Sequence, residues 1–348
     1  MKNNMNLKTK KIIINGIIFV FFVVLTFSII FKDNSIIEIL EIIKQVDIKY
    51  IILAIGCMMC FIASEGINIA RTLKLQNCKI SFLSGIKYAL VGFFFSGVTP
   101  SASGGDPMQM YYMTKDGLPI GQSALAVLTE FSSFQFVTIS ISIVCFILKY
   151  NYIKESIGNI KYLLFFGILV NVLILAFLLL SIFSSKLVIK LVDLVCKILY
   201  KFKYKNTEKF RDECIKQIKE YHAGANLIKN NKKMLIKIVS TTVIQIILYH
   251  SIPYLIYLAL GLNDANFFDF FAVQAVLYIS VSSIPLPGAV GVSEGGFMAI
   301  YKLLFPVEML SSAMLLSRGI SFYLFIIVSG IAVAIFSLKN TSKPKAVK

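Results

Sequence analysis

The chain has no tryptophan, two histidines, three arginines and eight prolines in 348 residues. Each scarcity excludes something. His222 and His250 are far apart and neither has a Cys/His cluster around it, so a transition-metal site lacks its donor set and no metal or other cofactor is expected. The six cysteines form no framework. Cys57 and Cys60 lie one turn apart in an apolar stretch and read as small buried hydrophobes rather than a redox pair. Cys78, Cys196 and Cys214 fall in stretches assigned below to the reducing side, where disulfides are rare. With no tryptophan to mark the interfaces, Tyr111, Tyr112, Tyr249, Tyr254 and Tyr257 are expected to anchor or pack, with lining of a pathway as the alternative.

Apolar residues are abundant: 57% of the chain, with a mean hydropathy of +0.79. Six runs reach the roughly 20 residues that span a bilayer: Ile12–Phe31, Tyr50–Ala70, Pro119–Lys149, Tyr162–Ser184, Ile238–Leu260 and Pro306–Leu338. Two more, Phe82–Val98 and Phe267–Ile284, are apolar but stop early. The first run is long for a signal peptide and lacks a small-residue cleavage site, so a retained span is expected.

The net charge of +17 would suit nucleic acid if it were spread evenly. Instead, four basic residues fall in residues 1–11, four in Arg71–Lys87, fourteen in Lys186–Lys237 and four from Lys339 onward. The alternate connections Lys32–Lys49, Tyr150–Lys161 and Gly261–Asn266 are balanced or lack bases. This is the positive-inside pattern, with both termini in the cytoplasm. It favours anionic inner-leaflet lipid as the partner of the basic linker over nucleic acid. The Lys/Ile/Asn-rich composition suggests a bacterial cell membrane, and a homo-oligomer is compatible with everything above.

Ser35-Ile-Ile-Glu38 has capping-box spacing, and Ile36, Ile39, Leu40 and Ile43 follow at helical spacing, predicting a short interfacial helix. Lys186, Lys190, Asp193, Lys197 and Lys201 recur every three or four residues opposite Leu187, Leu191, Leu194, Ile198 and Phe202. They predict an amphipathic helix on the inner leaflet. A basic linker, about 185–235, then divides one integral membrane domain, 1–348, into two halves, about 50–149 and 238–338. Too short and polar for an enzyme domain, it leaves no sign of a soluble catalytic unit.

Both halves carry an interruption. The first reads Gly97-Val-Thr-Pro100-Ser-Ala-Ser-Gly104-Gly105-Asp106-Pro107, the second Pro285-Leu-Pro287-Gly288-Ala-Val-Gly291-Val-Ser-Glu294-Gly295-Gly296. Non-helical chain at membrane depth is tolerated only where protein buries it or water reaches it. A pair of breaks in matching positions points to a substrate site. An offset of 188 residues superposes Asp106 on Glu294, Glu130 on Arg318 and Ser133-Phe134 on Ser321-Phe322. The expected fold is an all-α polytopic membrane protein with inverted repeats. It has about six full spans plus two re-entrant broken-helix hairpins, or eight spans.

Charges at membrane depth cost about 2.5–3.5 kcal/mol each on insertion scales and are functional candidates. Here they are Glu65, Asp106, Glu130, Glu294 and Arg318. Arg318 sits about twelve residues into the last run of a chain that otherwise uses lysine. Its guanidinium suits a carboxylate or a phosphate fork. Three readings stand: an ion pair with Glu130 that orients the halves, a grip on a lipid phosphate, or another polar partner. Asp106, Pro107 and Gln109 fit a helix N-cap, first position and capping box. That places free backbone N–H groups at the break, an anion site, with Gly104 and Gly105 allowing close approach. Ser293-Glu294 is expected to start a helix likewise. Glu65 lies in a small-residue patch suited to close helix packing. Four acids against one arginine leave the core acidic if all are ionised, so either protons or a visiting cation restore balance.

At Thr99-Pro100-Ser-Ala-Ser-Gly104-Gly105-Asp106-Pro107-Met108-Gln109 and Pro285-Leu-Pro287-Gly288-Ala-Val-Gly291-Val-Ser-Glu294 the chain resembles the lysylphosphatidylglycerol synthase transmembrane-region family, over essentially its whole length. Some relatives place Gln at the position of Asp106 and others Arg at that of Gln109. The resemblance implies lipid translocation between leaflets. In the family's two-part antibiotic-resistance proteins, a soluble domain transfers lysine to phosphatidylglycerol and the membrane half flips the product. The implied substrate site here comprises Arg318, Glu130, Glu294, Asp106, Gly104, Gly105, Gln109, Pro100, Pro287, Gly288, Gly291 and Glu65. It would take a phospholipid or glycolipid head group. The alternatives are a phosphatidylglycerol lysyltransferase and an ion or small-solute transporter.

Overall fold

The computed structural model describes residues 36–150, 160–184, 189–190, 193–194, 196–197, 221 and 223–341. The run Ile12–Phe31, the Ser35 cap, His222 and most of the basic linker lie outside them. The chain forms α1 (Ile36–Lys44), α2 (Ile48–Leu75), α3 (Phe82–Gly97), α4 (Gly105–Lys115), α5 (Ile120–Leu148) and α6 (Ile160–Phe183). After the linker come α7 (Lys232–His250), α8 (Ile252–Ala259), α9 (Phe267–Val281), α10 (Val292–Ile300), α11 (Val307–Arg318) and α12 (Phe325–Thr341). There is no strand among the described residues.

Five helical stretches are long and apolar enough to cross a bilayer: Ile48–Leu75, Ile120–Leu148, Tyr162–Ile182, Lys232–Ala259 and Val307–Leu338. They coincide with five of the six runs. Phe82–Gly97 and Phe267–Val281 are the two shorter apolar helices. On α6, Phe165, Leu169, Leu173 and Phe177 are each more than half exposed. Leaving such side chains in water forgoes about 1.5–3 kcal/mol apiece, so these faces belong against hydrocarbon. The protein is therefore a polytopic α-helical membrane protein.

Close backbone approach builds the first half. An ideal Cβ on Gly85 would stand 2.2 Å from the Gly66 carbonyl, and one on Gly66 would stand 2.7 Å from the Ile86 nitrogen. The small-residue patch thus lets α2 and α3 cross in contact. Buried hydroxyls tie the halves together. Thr242 on α7 accepts from Asn68 Nδ2 on α2 at 3.1 Å and pairs with Ser133 Oγ on α5 at 2.8 Å. On α6, Asn171 Nδ2 donates to Ser282 and Ser283 just after α9.

Three departures from the sequence pattern have local causes. The span 232–259 breaks between α7 and α8 at Ser251, beside Pro253, which lacks an N–H to continue the ladder. The last span contains a π-helical segment, Gly319–Leu324, directly after Arg318. The helix α1 forms where expected, but it docks on α11 and buries Ile39 to 4% exposure while Ile37 stays 70% exposed, so one face of it is seated on protein.

Candidate functional site

The element order repeats. Long helix, shorter apolar helix, 3-10 turn, short helix and long helix run as α2, α3, Pro100–Ala102, α4, α5. They run again as α7–α8, α9, Pro287–Ala289, α10, α11–α12. The two turns are separated by one residue less than the 188 expected from Asp106 and Glu294. Both corners need left-handed backbone, at Ser101 and Ala102 (φ 51° and 54°) and at Gly288 and Ala289 (φ 59° and 49°). For residues other than glycine this conformation is sterically costly. The two turns pack against each other.

The first break is closed by Thr99, whose Oγ1 accepts from the Gly104 N–H at 2.9 Å and donates to the Phe95 carbonyl. The N-cap of α4 is therefore Gly104, not Asp106, which sits in the first turn of the helix. The cause is steric as well as polar. Cβ atoms on Gly104 and Gly105 would fall 2.7 Å from Thr99 and 2.0 Å from Ser96. Those glycines serve packing against α3, and the space beside them is filled by protein. One turn on, Gln109 is buried and its Nε2 donates to Glu65 Oε1. Glu65, Asp106 and Glu130 lie close enough for their charges to interact. Glu130 Oε1 is buried without a hydrogen-bond partner.

The second break carries the cation. Arg318 Nε donates to Glu294 Oε1 at 2.8 Å, with side chains 11% and 2% exposed, and an Arg318 Nη2 donates to the Gly288 carbonyl at 3.1 Å. The guanidinium lies 4.5 Å from the centre of the Phe322 ring, a favourable cation–π distance. Glu294 Oε2 accepts from the Gly291 N–H at 2.7 Å, so the helix starts near Ser293-Glu294 as expected, with Gly291 as N-cap. Tyr323 donates to Glu294 Oε1 at 3.0 Å. Residues five apart diverge on an α-helix but share a side of the wider π-helix. The π segment therefore brings Arg318 and Tyr323 to one carboxylate.

The sequence alternative that paired Glu130 with Arg318 is corrected. Arg318 is held by Glu294, and no ion pair joins it to Glu130 among the described residues. The superposed positions are equivalents across the repeat, not neighbours. Between the acids and the ion pair stands an aromatic cluster. Tyr249 packs on Phe61 and Tyr278 with ring centres 5.2 and 5.6 Å apart, and Phe134 packs on Phe61 and Tyr278. The Tyr249 hydroxyl also faces Arg318 and Ser321. Tyr254 and Tyr257 stack within the core, and Tyr112 is buried against Ser337. His250 is buried among rings, and no group of acids, cysteines and histidines placed to hold a metal occurs among the described residues.

Beside Arg318 lies a cavity of about 30 Å³, bounded by Tyr249, Gln274, Tyr278, Ser317 and Ser321. It has room for a water or two, and the first-half acids do not line it. Pro100, Pro287, Gly288 and Gly291 shape the two breaks. Tyr323 and Tyr249 complete the polar centre; Tyr249 was among the tyrosines weighed for packing or for lining a pathway, whereas Tyr323 did not stand out in the sequence.

Paired broken helices with polar side chains gathered at the breaks define a class of polytopic membrane protein. The chain belongs to the lysylphosphatidylglycerol synthase TM region family, whose model matches residues 12–329. It is also 24% identical over 318 residues to a UPF0104 membrane protein of Archaeoglobus fulgidus, covering 90% of this chain and 94% of that protein.

Proposed function

We propose that the protein moves a lipid head group between leaflets of a bacterial cell membrane, with both termini cytoplasmic and the halves acting as inverted repeats. The observation that carries this reading is the meeting of the two breaks with complementary chemistry on either side. One side offers three carboxylates, Glu65, Asp106 and Glu130. The other offers a guanidinium, Arg318, already seated on a carboxylate. A zwitterionic or amine-bearing phospholipid has the matching groups. Its cation pairs with the free Glu130 oxygen, and its phosphate competes with Glu294 for Arg318 in a bidentate fork. Acyl chains stay in the bilayer. The 30 Å³ cavity admits no head group, so on this reading the site has to open during an alternating cycle.

A dithionite-quenching assay on fluorescent phospholipids in proteoliposomes tests the proposal. Wild-type protein is expected to expose inner-leaflet lipid faster than Arg318→Ala or Glu130→Gln proteoliposomes. Equal rates in all three would refute it. The acidic cluster also favours a second reading, cation-coupled movement of a small solute. Solute flux without lipid movement in the same vesicles would select it.

A further inference from the structure

A second cavity, of about 160 Å³, lies away from the breaks, between α5, α6 and α7. Its walls include Phe136, Leu175, Leu179, Ile182, Leu235 and Val239. The two serines on its α5 wall are satisfied within the protein. Ser132 Oγ donates to the Leu128 carbonyl at 2.7 Å and Ser133 pairs with Thr242. Thr129 Oγ1 is the exception, buried in the wall with no partner. An apolar cavity of about 150 Å³ stays dry and takes up apolar molecules. At the mouth, Phe136 is 51% and Leu179 41% exposed on the face that meets hydrocarbon. The material next to that opening is an acyl chain.

One end of the cavity is basic. Lys232, Leu235 and Val239 share a face of α7 by helical register, so Lys232 continues the cavity wall toward the helix start. Lys232, Lys233 and Lys237 are exposed, and Lys229–Lys237 contains no acid. The same end is the N-terminus of α7, capped by Asn231, where the helix dipole adds positive potential. An apolar slot with a cationic rim complements an anionic amphiphile.

We infer that this cavity holds one acyl chain of an anionic phospholipid, with its phosphate at Lys232 and Lys233. The unpartnered Thr129 hydroxyl is a donor for the lipid's ester carbonyl. The inference does not rest on translocation. A resident boundary lipid would occupy the same place in a protein that moves nothing.

The test uses full-length protein in nanodiscs of neutral phosphatidylcholine doped with phosphatidylglycerol carrying a diazirine in its acyl chain. After irradiation, adducts are expected on Phe136, Leu179 or Val239. Val239→Phe, which fills the cavity, is expected to cut labelling about tenfold. Lys232→Ala/Lys233→Ala changes only exposed side chains and spares folding. It is expected to cut phosphatidylglycerol labelling by a similar factor while leaving that of a diazirine phosphatidylcholine unchanged. Equal labelling by the two lipids in wild-type protein would overturn the assignment. So would labelling undiminished in both variants, or crosslinks joining two copies of the chain through this face.

Discussion

Arg318 and Glu294 form a nearly buried ion pair in an apolar body. Removing one partner of such a pair strands the other's charge, at a cost of about 3–5 kcal/mol. Arg318→Ala is expected to lower the thermal unfolding midpoint in detergent markedly. Arg318→Met/Glu294→Gln, which removes both charges at similar volume, should recover most of that loss. Glu130 predicts the opposite. Its Oε1 makes no hydrogen bond, and a buried carboxyl oxygen left unpaired is a liability. Glu130→Gln is expected to leave the midpoint unchanged or raised while lowering lipid movement. A fall in stability matching that of Arg318→Ala would show that Glu130 is structural. Arg318 was legible in the sequence because arginine is rare in this chain. Its partner was not, because Glu130 occupies the same register in the other half and equivalence looks like proximity. Tyr323 was hidden because a spacing of five joins two side chains only where the helix widens.

The α2–α3 crossing depends on Gly66 and Gly85 having no side chain. Gly85→Ala would place its methyl 2.2 Å from a backbone oxygen, which only a shift of the helices can relieve. The expected cost is about 1–3 kcal/mol, read as a lower midpoint in the same melt. Gly56, on the same helix α2, has no heavy atom within 4 Å of its ideal Cβ. Gly56→Ala is expected to gain up to about 1 kcal/mol from helix propensity. Hydropathy sufficed to locate α2, α5, α6 and the two shorter apolar helices, because a lipid-facing helix must be apolar over its whole length. Helix starts were less legible. A Pro or an acid near a break suggests a cap, yet Thr99, five residues upstream, takes the Gly104 N–H. The cavity between α5, α6 and α7 was invisible, because Thr129 and Ser132 read as ordinary small residues until three helices meet around them.

The two halves share one order of elements, joined where Ser133 on α5 meets Thr242 on α7 with oxygens 2.8 Å apart. If the halves rock against each other during transport, a bond at this seam should stop them. Ser133→Cys/Thr242→Cys, oxidised with a membrane-permeant catalyst, is expected to halt lipid movement, and reductant should restore it. Movement that persists at full crosslinking would place the motion elsewhere. The repeated order of elements was legible from the paired Pro/Gly interruptions, since these residues stop a helix inside an apolar run, but the left-handed corners were not, because three of their four residues are Ser101, Ala102 and Ala289. Duplication of the scaffold did not duplicate its chemistry. Where the first half has Asp106 and Glu130, the second has Glu294 and Arg318, closed on each other as an ion pair. On the proposed reading, cargo meets unlike greetings at the two breaks, a cluster of carboxyl groups at one and an already quenched couple at the other. A pathway built so is alike in its walls and one-sided in its grip.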